Sequence, residues 1–586
     1  MQTARLERLG DRRAVDRAVF NWLLEANKQP FDYFNQSDIR AAIPLLQRWV
    51  AQAPIDTPQE KLRLLTARRS LLACVHGIGM DVDTFLAAAI GEMKELRTAR
   101  PWQRQKRALL ASIDAAWQPD LHEWAAISAQ EASLYAIAAL FDEPHGKDGL
   151  QAFDRILDAL PGLPPASHSF LFMRDLAYAC YITGFGASAR KYDAKRALNA
   201  LVQPMLGELH VPAGRTAQTA GQPRRLLIIS ELYDGANVMH RCYGEVIAGL
   251  REQFHITWLA DAATRCAEHA QLAHEVFYFD SRVENLPDLA RLAVAQKPDI
   301  LYYPSVGMAW WTFALANLRI APMQVASLGH PCPSGASEID WLAMPHELHH
   351  ANAWQGEKAL TYARHPILAA PYQDPRFRQL AQQRLGRPAA GGPLTIGINA
   401  SSMKLNHAFL SAVRSVMDAA PAGTQLRFFP NTSGLRHFSI LARLGKLFPE
   451  AEIMPSAGLE TYFAKLAGCD LVLQSFPFGG TNTTTDSLAL GIPVVCLSGV
   501  EAHSRIDMKI LRQLGLDDQL LAHDLQDYLR IAGQLLADAK LRARCGGQAA
   551  ERIVDVMTQE KEAPSGLAQA MLQAWEQGAK NNIGTP

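Results

Sequence analysis

Before residue 205, apolar side chains recur at the three- and four-residue spacing of amphipathic helices. Ser128-Ala-Gln-Glu131 reads as a capping box ahead of Leu134, Ile137 and Phe141, and Leu150, Phe153, Leu157 and Leu160 form a second stripe that stops at Pro161-Gly162. No fixed-period repeat of the tetratricopeptide type emerges, so residues 1–206 are expected to form an all-α domain of packed hairpins, suited to docking a partner. Residues 207–223 are rich in Gly, Ala, Thr and Pro without apolar periodicity, and predict a linker.

The pattern then changes to short apolar, β-rich runs separated by helix-length segments. Strands are expected at 226–230, 256–260, 276–279, 300–303 and 324–328, with helices through Val246 and Leu250 and around Leu289 and Leu292. A second break at 386–393 precedes the same rhythm, with strands expected at 394–399, 426–430, 471–475 and 493–497. Alternation of this kind implies βαβ units and parallel sheets. The expected organisation is therefore α/β: the all-α domain, a Rossmann-like domain over 224–385, and a second over 394–586 that includes carboxy-terminal helices. In such sheets ligands bind beyond the carboxyl ends of the strands, so the loops there are where chemistry is sought.

Composition narrows the classes of function. The chain has 586 residues, enough for several domains, and Lys plus Arg equals Asp plus Glu at 58 each, so no overall field draws in nucleic acid. The amino terminus is charged where a secretory signal is apolar, and no membrane span is apparent, which points to the cytoplasm. Eight cysteines are scattered without metal-ligand spacing, as reduced thiols.

The densest chemical candidate is Ser475-Phe-Pro-Phe-Gly-Gly-Thr-Asn-Thr-Thr-Thr-Asp486, between an expected strand and a helix. Gly479 and Gly480 permit a tight turn, and Thr481, Asn482 and Thr483 bring hydroxyls, an amide and N–H groups to a helix start, a setting for a pyrophosphate. Asp486, a turn further on, is placed to accept from ribose hydroxyls. Simple N-capping by Thr481 or Asn482 is the plainer explanation of the same residues. Lys404, beyond the first strand of the last domain, is a candidate to neutralise charge on a departing diphosphate in place of a metal. In the first Rossmann-like domain, His240 or Asp234 could orient the acceptor and Arg241 could hold a sugar or phosphate oxygen, while His330 lies in a loop rich in Gly and Pro. His346-Glu-Leu-His-His350 matches the zinc-protease pattern, but Pro345 and the alternating α/β context argue against a helix carrying both histidines, and Asp81-Val-Asp83 falls in the helical region at a helix start.

Taken together, Gln324-Val-Ala-Ser-Leu-Gly-His-Pro331, Ser401-Ser-Met-Lys-Leu-Asn406, Phe476-Pro-Phe-Gly-Gly-Thr-Asn482 with Asp486, and Glu501-Ala-His-Ser-Arg-Ile-Asp507 resemble the bacterial cytoplasmic N-glycosyltransferases that modify high-molecular-weight adhesins, relatives of the eukaryotic O-GlcNAc transferase. The resemblance implies a GT-B fold and an inverting, metal-independent transfer of glucose or galactose from a UDP donor to asparagine in Asn-x-Ser/Thr sequons. It requires no cofactor beyond the donor, and its partner is an acceptor polypeptide such as an adhesin. By the same resemblance Ser401 and Lys404 meet the diphosphate; Phe478, Gly479, Asn482 and Thr483 surround the UDP; Asp486 binds ribose; and His503 lies near the nucleotide. Gln324 and His330 face the sugar and acceptor, and His240 stands near the amino-domain histidine, with Asn237 and Tyr243 as alternatives. Thr483 stands where a glycine is usual, and residues 454–458 lack a histidine expected near the nucleotide. An O-linked or glycan-extending transferase, or a UDP-sugar-binding scaffold without catalysis, are the rival readings.

Overall fold

The computed structural model describes residues 12–583, apart from 27, 30–32, 114, 143–146, 164–171, 208, 210–222, 235–237, 354–355, 364–374, 387–392 and 563–565. Most of both expected linkers, and Asn237, lie outside the described residues.

Up to Gly207 the described elements are helical, and beyond it parallel strands alternate with helices. Seven strands, β1 (Arg224–Ser230), β2 (Phe254–Asp261), β3 (Glu275–Phe279), β4 (Ile300–Tyr303), β5 (Met323–Ser327), β6 (Trp341–Pro345) and β7 (Lys358–Tyr362), form one sheet in the order β3-β2-β1-β4-β5-β6-β7. Every pairing in it is parallel. The central strands are buried on both faces, which is why they read as continuous apolar runs rather than alternating ones. Two of their polar side chains are paired, the Trp258 indole donating to Ser230 Oγ at 2.7 Å and the Tyr302 hydroxyl to Ser327 Oγ at 3.1 Å, whereas the buried Tyr303 hydroxyl has no hydrogen-bond partner. Six further strands follow, β8 (Thr395–Ile398), β9 (Gln425–Phe428), β10 (Glu452–Ile453), β11 (Leu471–Leu473), β12 (Val494–Leu497) and β13 (Leu521–Ala522), the last two paired in parallel.

The described chain divides into two compact units that are not linear segments. The first contains residues 1–172, 185–190 and 392–475; the second contains 173–184, 191–391 and 476–586. In the first, β10, β9, β8 and β11 pair in that order, and helix Gly434–Leu447 packs on helix Pro58–Gly77. Gly77 permits that approach, since a Cβ there would lie 2.2 Å from the Phe438 ring. Thr57 and Glu60 close a capping box at the start of Pro58–Gly77, with Pro58 at its first position.

In the second unit, helices Met173–Thr183 and Lys191–Gly207 accompany the seven-stranded sheet. Asn199 is the tie, donating to the Ser334 carbonyl at 3.2 Å and accepting from Asn317 Nδ2 at 2.6 Å. Helix Leu567–Ile583 returns to the same sheet, burying Leu567, Met571 and Ala574 with Tyr243, Leu360 and Tyr362. These helices leave their neighbours in sequence because the sheet has apolar faces to cover.

Two sequence expectations are revised in the helical region. Ser128 caps helix Ala129–Ala139 by accepting from the Glu131 N–H, but the Glu131 carboxylate does not complete the capping box. It is buried and accepts from the Trp124 indole at 3.0 Å and from Arg104 at 3.0 Å, because a buried charge takes a guanidinium partner in preference to a backbone N–H. Asp81-Val-Asp83 does start a helix, Asp81 capping Val82–Ile90 by accepting from the Thr84 N–H, but Asp83 in its first turn is engaged rather than solvated: it pairs with Arg107 and accepts from the Trp117 N–H at 2.9 Å. Among the described residues no single helix is long and apolar enough to cross a membrane, and only the bent pair Pro58–Gly77 and Val82–Ile90 reaches that composition jointly.

Candidate nucleotide-sugar site

In the second unit, residues 476–481 form a tight turn that enters helix Asn482–Ala489. Thr481 precedes the helix at φ +54°, a conformation few non-glycine residues adopt, and its side chain makes no cap hydrogen bond. Strain of this kind persists where surrounding contacts over-determine the backbone. Here the contacts come from helix Ala502–Leu514. The Gly480 N–H donates to Asp507 Oδ2 at 2.7 Å, the Thr481 N–H donates to Asp507 Oδ1 at 2.8 Å, and the Gly479 N–H donates to the His503 carbonyl at 3.2 Å. A Cβ on residue 479 would lie 2.2 Å from Asp507 Oδ2, so glycine is required by close approach.

This corrects one expectation. The Thr481 N–H is not free for a pyrophosphate, because a protein carboxylate already occupies the amide cradle of the turn. Asp507 acts as a built-in anion that fixes the turn ahead of the helix start.

Asn482 opens the helix with Oδ1 3.8 Å from Cys242 Sγ, and buried Asp486 lies 3.5 Å from the Arg241 guanidinium. Arg241 and Cys242 belong to helix Val238–Leu250, which follows β1. The structure thus brings together Asn482 and Asp486 with Arg241. His240, in the first turn of the same helix, has Nδ1 2.8 Å from the Tyr233 hydroxyl, which orients its ring. Tyr243 is buried in the sheet core.

Phe478 lies between two imidazoles: its ring is stacked on His503 at 4.5 Å and on His330 at 6.0 Å, and His330 also packs on Tyr181 at 4.7 Å. His503 supports the turn directly, its Nδ1 donating to the Pro477 carbonyl at 2.9 Å. Its Nε2 faces the Glu501 carboxylate and lies 3.2 Å from Lys191 Nζ. Lys191 Nζ is also 2.8 Å from Glu501 Oε2, and the Tyr192 hydroxyl donates to the same oxygen at 2.5 Å. Burial disfavours ionisation of Glu501, but the hydrogen bond and charge of His503 and the ammonium of Lys191 outweigh it and hold the carboxyl well below its ordinary range. Burial and the Lys191 charge lower the His503 pKa, against the opposing pull of Glu501.

Both loops at the switch point of the seven-stranded sheet, after β1 and after β4, are tied by Glu231. Its fully buried carboxylate accepts from Ser305 Oγ at 2.7 Å, from the Met308 N–H at 3.0 Å and from the Ala309 N–H at 2.7 Å, and it also meets Thr312 Oγ1. Burial raises its pKa, and these donors oppose that rise. The loops that frame a ligand crevice in an α/β sheet are thereby held rigid.

Gln324 requires a second correction. It is the second residue of β5, wholly buried, at the amino end of the strand. Its Oε1 accepts from the Ile320 and Ala321 N–H groups at 2.7 and 3.1 Å, and its Nε2 donates to the Leu318 and Glu338 carbonyls at 3.2 and 2.8 Å. Its amide is consumed by backbone groups at the end of the sheet away from the ligand loops, so it does not face a sugar.

In the first unit, Lys404 closes the short 3-10 turn Ser402–Lys404, which Ser401 precedes, in the loop after β8. β8 pairs with β9 on one side and β11 on the other, so this loop lies at the switch point of its own strands. The His346–Leu348 segment is likewise a 3-10 turn, with His349 and His350 beyond it, so the histidines do not share a helical face. Among the described residues no group of three or more His, Cys, Asp or Glu is arranged to hold a metal.

Lys191, Glu501 and Asp507 were not identified as functional from the sequence. Glu501 and Asp507 flank His503 in the Glu501-Ala-His-Ser-Arg-Ile-Asp507 motif, two residues before and four residues after it, and the i, i+4 spacing of His503 and Asp507 on one helix face is the available signal.

No family model matches the chain. Among curated proteins, the UDP-glucose:protein N-beta-glucosyltransferase of Actinobacillus pleuropneumoniae serotype 5b is 27% identical over 400 residues, covering 66% of this chain and 62% of that protein. The chain thus spans less than two thirds of the length of that relative. The probable UDP-N-acetylglucosamine–peptide N-acetylglucosaminyltransferase SPINDLY of Solanum lycopersicum is 27% identical over 229 residues, covering 38% of this chain and 24% of that one. Among solved structures, a variant of the Thermobaculum terrenum O-GlcNAc transferase superposes with a TM-score of 0.57 at 17% identity, covering 93% of this chain and 99% of that chain. The chain therefore has the α/β, GT-B-type fold with helices ahead of two Rossmann-like sheets, and its sequence is similar to bacterial protein N-glucosyltransferases.

Proposed function

We propose that the chain is a cytoplasmic, inverting glycosyltransferase that moves a hexose, glucose or galactose, from a UDP-sugar to asparagine in Asn-x-Ser/Thr sequons of a protein, without a metal. The observation that carries this reading is the 27% identity over 400 residues to the UDP-glucose:protein N-beta-glucosyltransferase. The turn and helix that offer Asn482 and Asp486 beside Arg241 support it as a nucleotide site. In this mechanism the acceptor amide nitrogen bonds to the anomeric carbon from the face opposite UDP, the bond from that carbon to the diphosphate oxygen breaks with its electron pair leaving on UDP, and the amide proton passes to solvent water. Amide nitrogen is a weak nucleophile, so alignment and stabilisation of the leaving group supply most of the acceleration. Lys404 and Ser401 carry the diphosphate, Asp486 the ribose and Asn482 and Thr483 the rest of the UDP; His330 and His240 act on the sugar and acceptor side. The acceptor is a polypeptide such as an adhesin.

A second reading, transfer to Ser or Thr, is favoured by the similarity to SPINDLY and by the fold shared with an O-GlcNAc transferase. Transfer from a panel of UDP-sugars to Asn-x-Thr and Ser-only peptides, read by fragmentation mass spectrometry with and without chelator, separates the two. Hexose on asparagine that persists under chelation is the expected result; hexose on Ser alone, or activity lost to chelator, rejects the proposal.

A further inference from the structure

Tyr233 follows β1 and is fully buried, its ring packed edge-on to Trp258 at 4.9 Å and beside His269 at 5.6 Å. Its hydroxyl meets His240 Nδ1 at 2.8 Å, with the two ring planes nearly perpendicular at 87°. Among the described residues that nitrogen is the one hydrogen-bond partner of the hydroxyl. Burial pushes the phenol up, so Tyr233 keeps its proton across the neutral range. Were Nδ1 to carry hydrogen, it would donate to the phenol oxygen, and the buried phenol proton would be left without an acceptor, which is costly. The phenol proton therefore goes to Nδ1, and the neutral imidazole carries its hydrogen on Nε2.

The backbone of helix Val238–Leu250 is shaped to keep the ring there. A Cβ on residue 244, one turn beyond His240, would stand 3.0 Å from both Cε1 and Nδ1 of the imidazole and 3.5 Å from the Tyr233 hydroxyl. Gly244 lets the imidazole settle against the helix within reach of the phenol. The same turn borders the nucleotide-sugar residues, since Arg241 lies 3.5 Å from Asp486 and Cys242 Sγ 3.8 Å from Asn482 Oδ1. His240 is partly exposed, in contrast to Tyr233 beneath it.

We infer that Tyr233 is a positioning residue whose hydroxyl fixes His240 as the Nε2–H tautomer, so that His240 serves bound substrate as a hydrogen-bond donor to oxygen and not as the base for the acceptor amide. This rests on the proposed placing of His240 on the sugar and acceptor side. With Nδ1 engaged and Nε2 protonated, neither ring nitrogen offers a lone pair to the amide proton, which agrees with its passage to solvent. The oxygen that accepts from Nε2 is a hydroxyl of the sugar or a carbonyl of the acceptor peptide.

The test combines NMR of isotope-labelled histidine ring nitrogens with transfer kinetics, both on the full chain. The His240 signals are assigned as those lost in His240→Gln. In the wild type Nδ1 is expected to show the shift of an unprotonated nitrogen, and Tyr233→Phe to mix the two tautomers. A protonated Nδ1 in the wild type, or a tautomer unchanged in Tyr233→Phe, overturns the inference. This readout needs no turnover, so a wild type that transfers no hexose defeats the proposed function and leaves the tautomer tested. In transfer, Tyr233→Phe is expected to lower kcat/KM about tenfold, the loss of one hydrogen bond's alignment, and to add nothing in the His240→Gln background. His240→Gln, whose amide still donates, should retain more activity than His240→Glu, which only accepts; the reverse order marks a base and overturns the inference. In His240→Gln, a KM raised for the peptide alone locates the oxygen on the acceptor, and one raised for the UDP-sugar alone locates it on the sugar; either upholds the donor. If Tyr233→Phe does not fold, Gly244→Ala, which displaces the ring from the phenol, is expected to give the same mixed tautomer.

Discussion

A Cβ added to Gly479 would stand 2.2 Å from Oδ2 of Asp507, the oxygen that accepts the Gly480 N–H. The turn that enters helix Asn482–Ala489 is thus shaped around a carboxylate from the next helix, and this contact sets where Asn482 and Asp486 stand.

Gly479→Ala is expected to displace Asp507 or the turn, since the His503 carbonyl blocks the added carbon as well, at 2.9 Å. Overpacking of this kind costs about 1–3 kcal/mol. Denaturant unfolding should register that loss, together with a weakening of UDP binding; a variant with wild-type affinity and stability would refute the close-approach requirement.

Asp507→Asn keeps the size of the side chain but replaces one acceptor oxygen with an NH2 group facing a backbone N–H. With one donor unanswered, UDP affinity should fall about tenfold, equivalent to about 1.4 kcal/mol. Titration of UDP into the variant measures this directly, with near-ultraviolet circular dichroism to confirm that packing is retained.

Lys191→Met leaves Glu501 without its ammonium and is expected to destabilise the protein by roughly 2–4 kcal/mol. Adding Glu501→Gln should recover part of that loss, because the uncompensated charge is then gone. A double-mutant cycle in urea reads the coupling, and strictly additive effects would mean that the ion pair does not act as a unit.

Lys404→Ala should lower kcat about 100-fold or more while changing KM for the UDP-sugar far less, as expected of a charge that acts mainly on the leaving diphosphate. An equal rise in KM at constant kcat would reassign Lys404 to ground-state binding.

His437 sets a pH window for stability. Burial pushes its pKa from 6.5 down to about 4, and its Nδ1 is held by Thr432 Oγ1 at 2.9 Å. The unfolded chain takes up this proton first, so stability falls as pH drops from about 6.5 to about 4, by roughly 3 kcal/mol, and levels off below. Melting temperatures across that range should show a flatter profile for His437→Gln than for the wild type.

The strand at 300–303 and the helix start at 482 were legible because apolar runs, glycines and small polar residues act on the backbone within a few positions of themselves. The same local signals passed over β6, β7, β10 and β13, two of which are only two residues long and carry too few side chains to show a period. Gln324 shows a further limit: the motif marked the residue, but only the structure shows its amide satisfied by four backbone groups. By itself the sequence determined the α/β rhythm, the helical beginning and the likeness to protein glycosyltransferases. The tertiary structure alone decided that Asp507 fills the turn, 27 residues from Gly480, and that Lys191 reaches His503 across 312 residues. Pairings at such separations are selected by burial and charge compensation, which act between residues that meet only once the chain has folded.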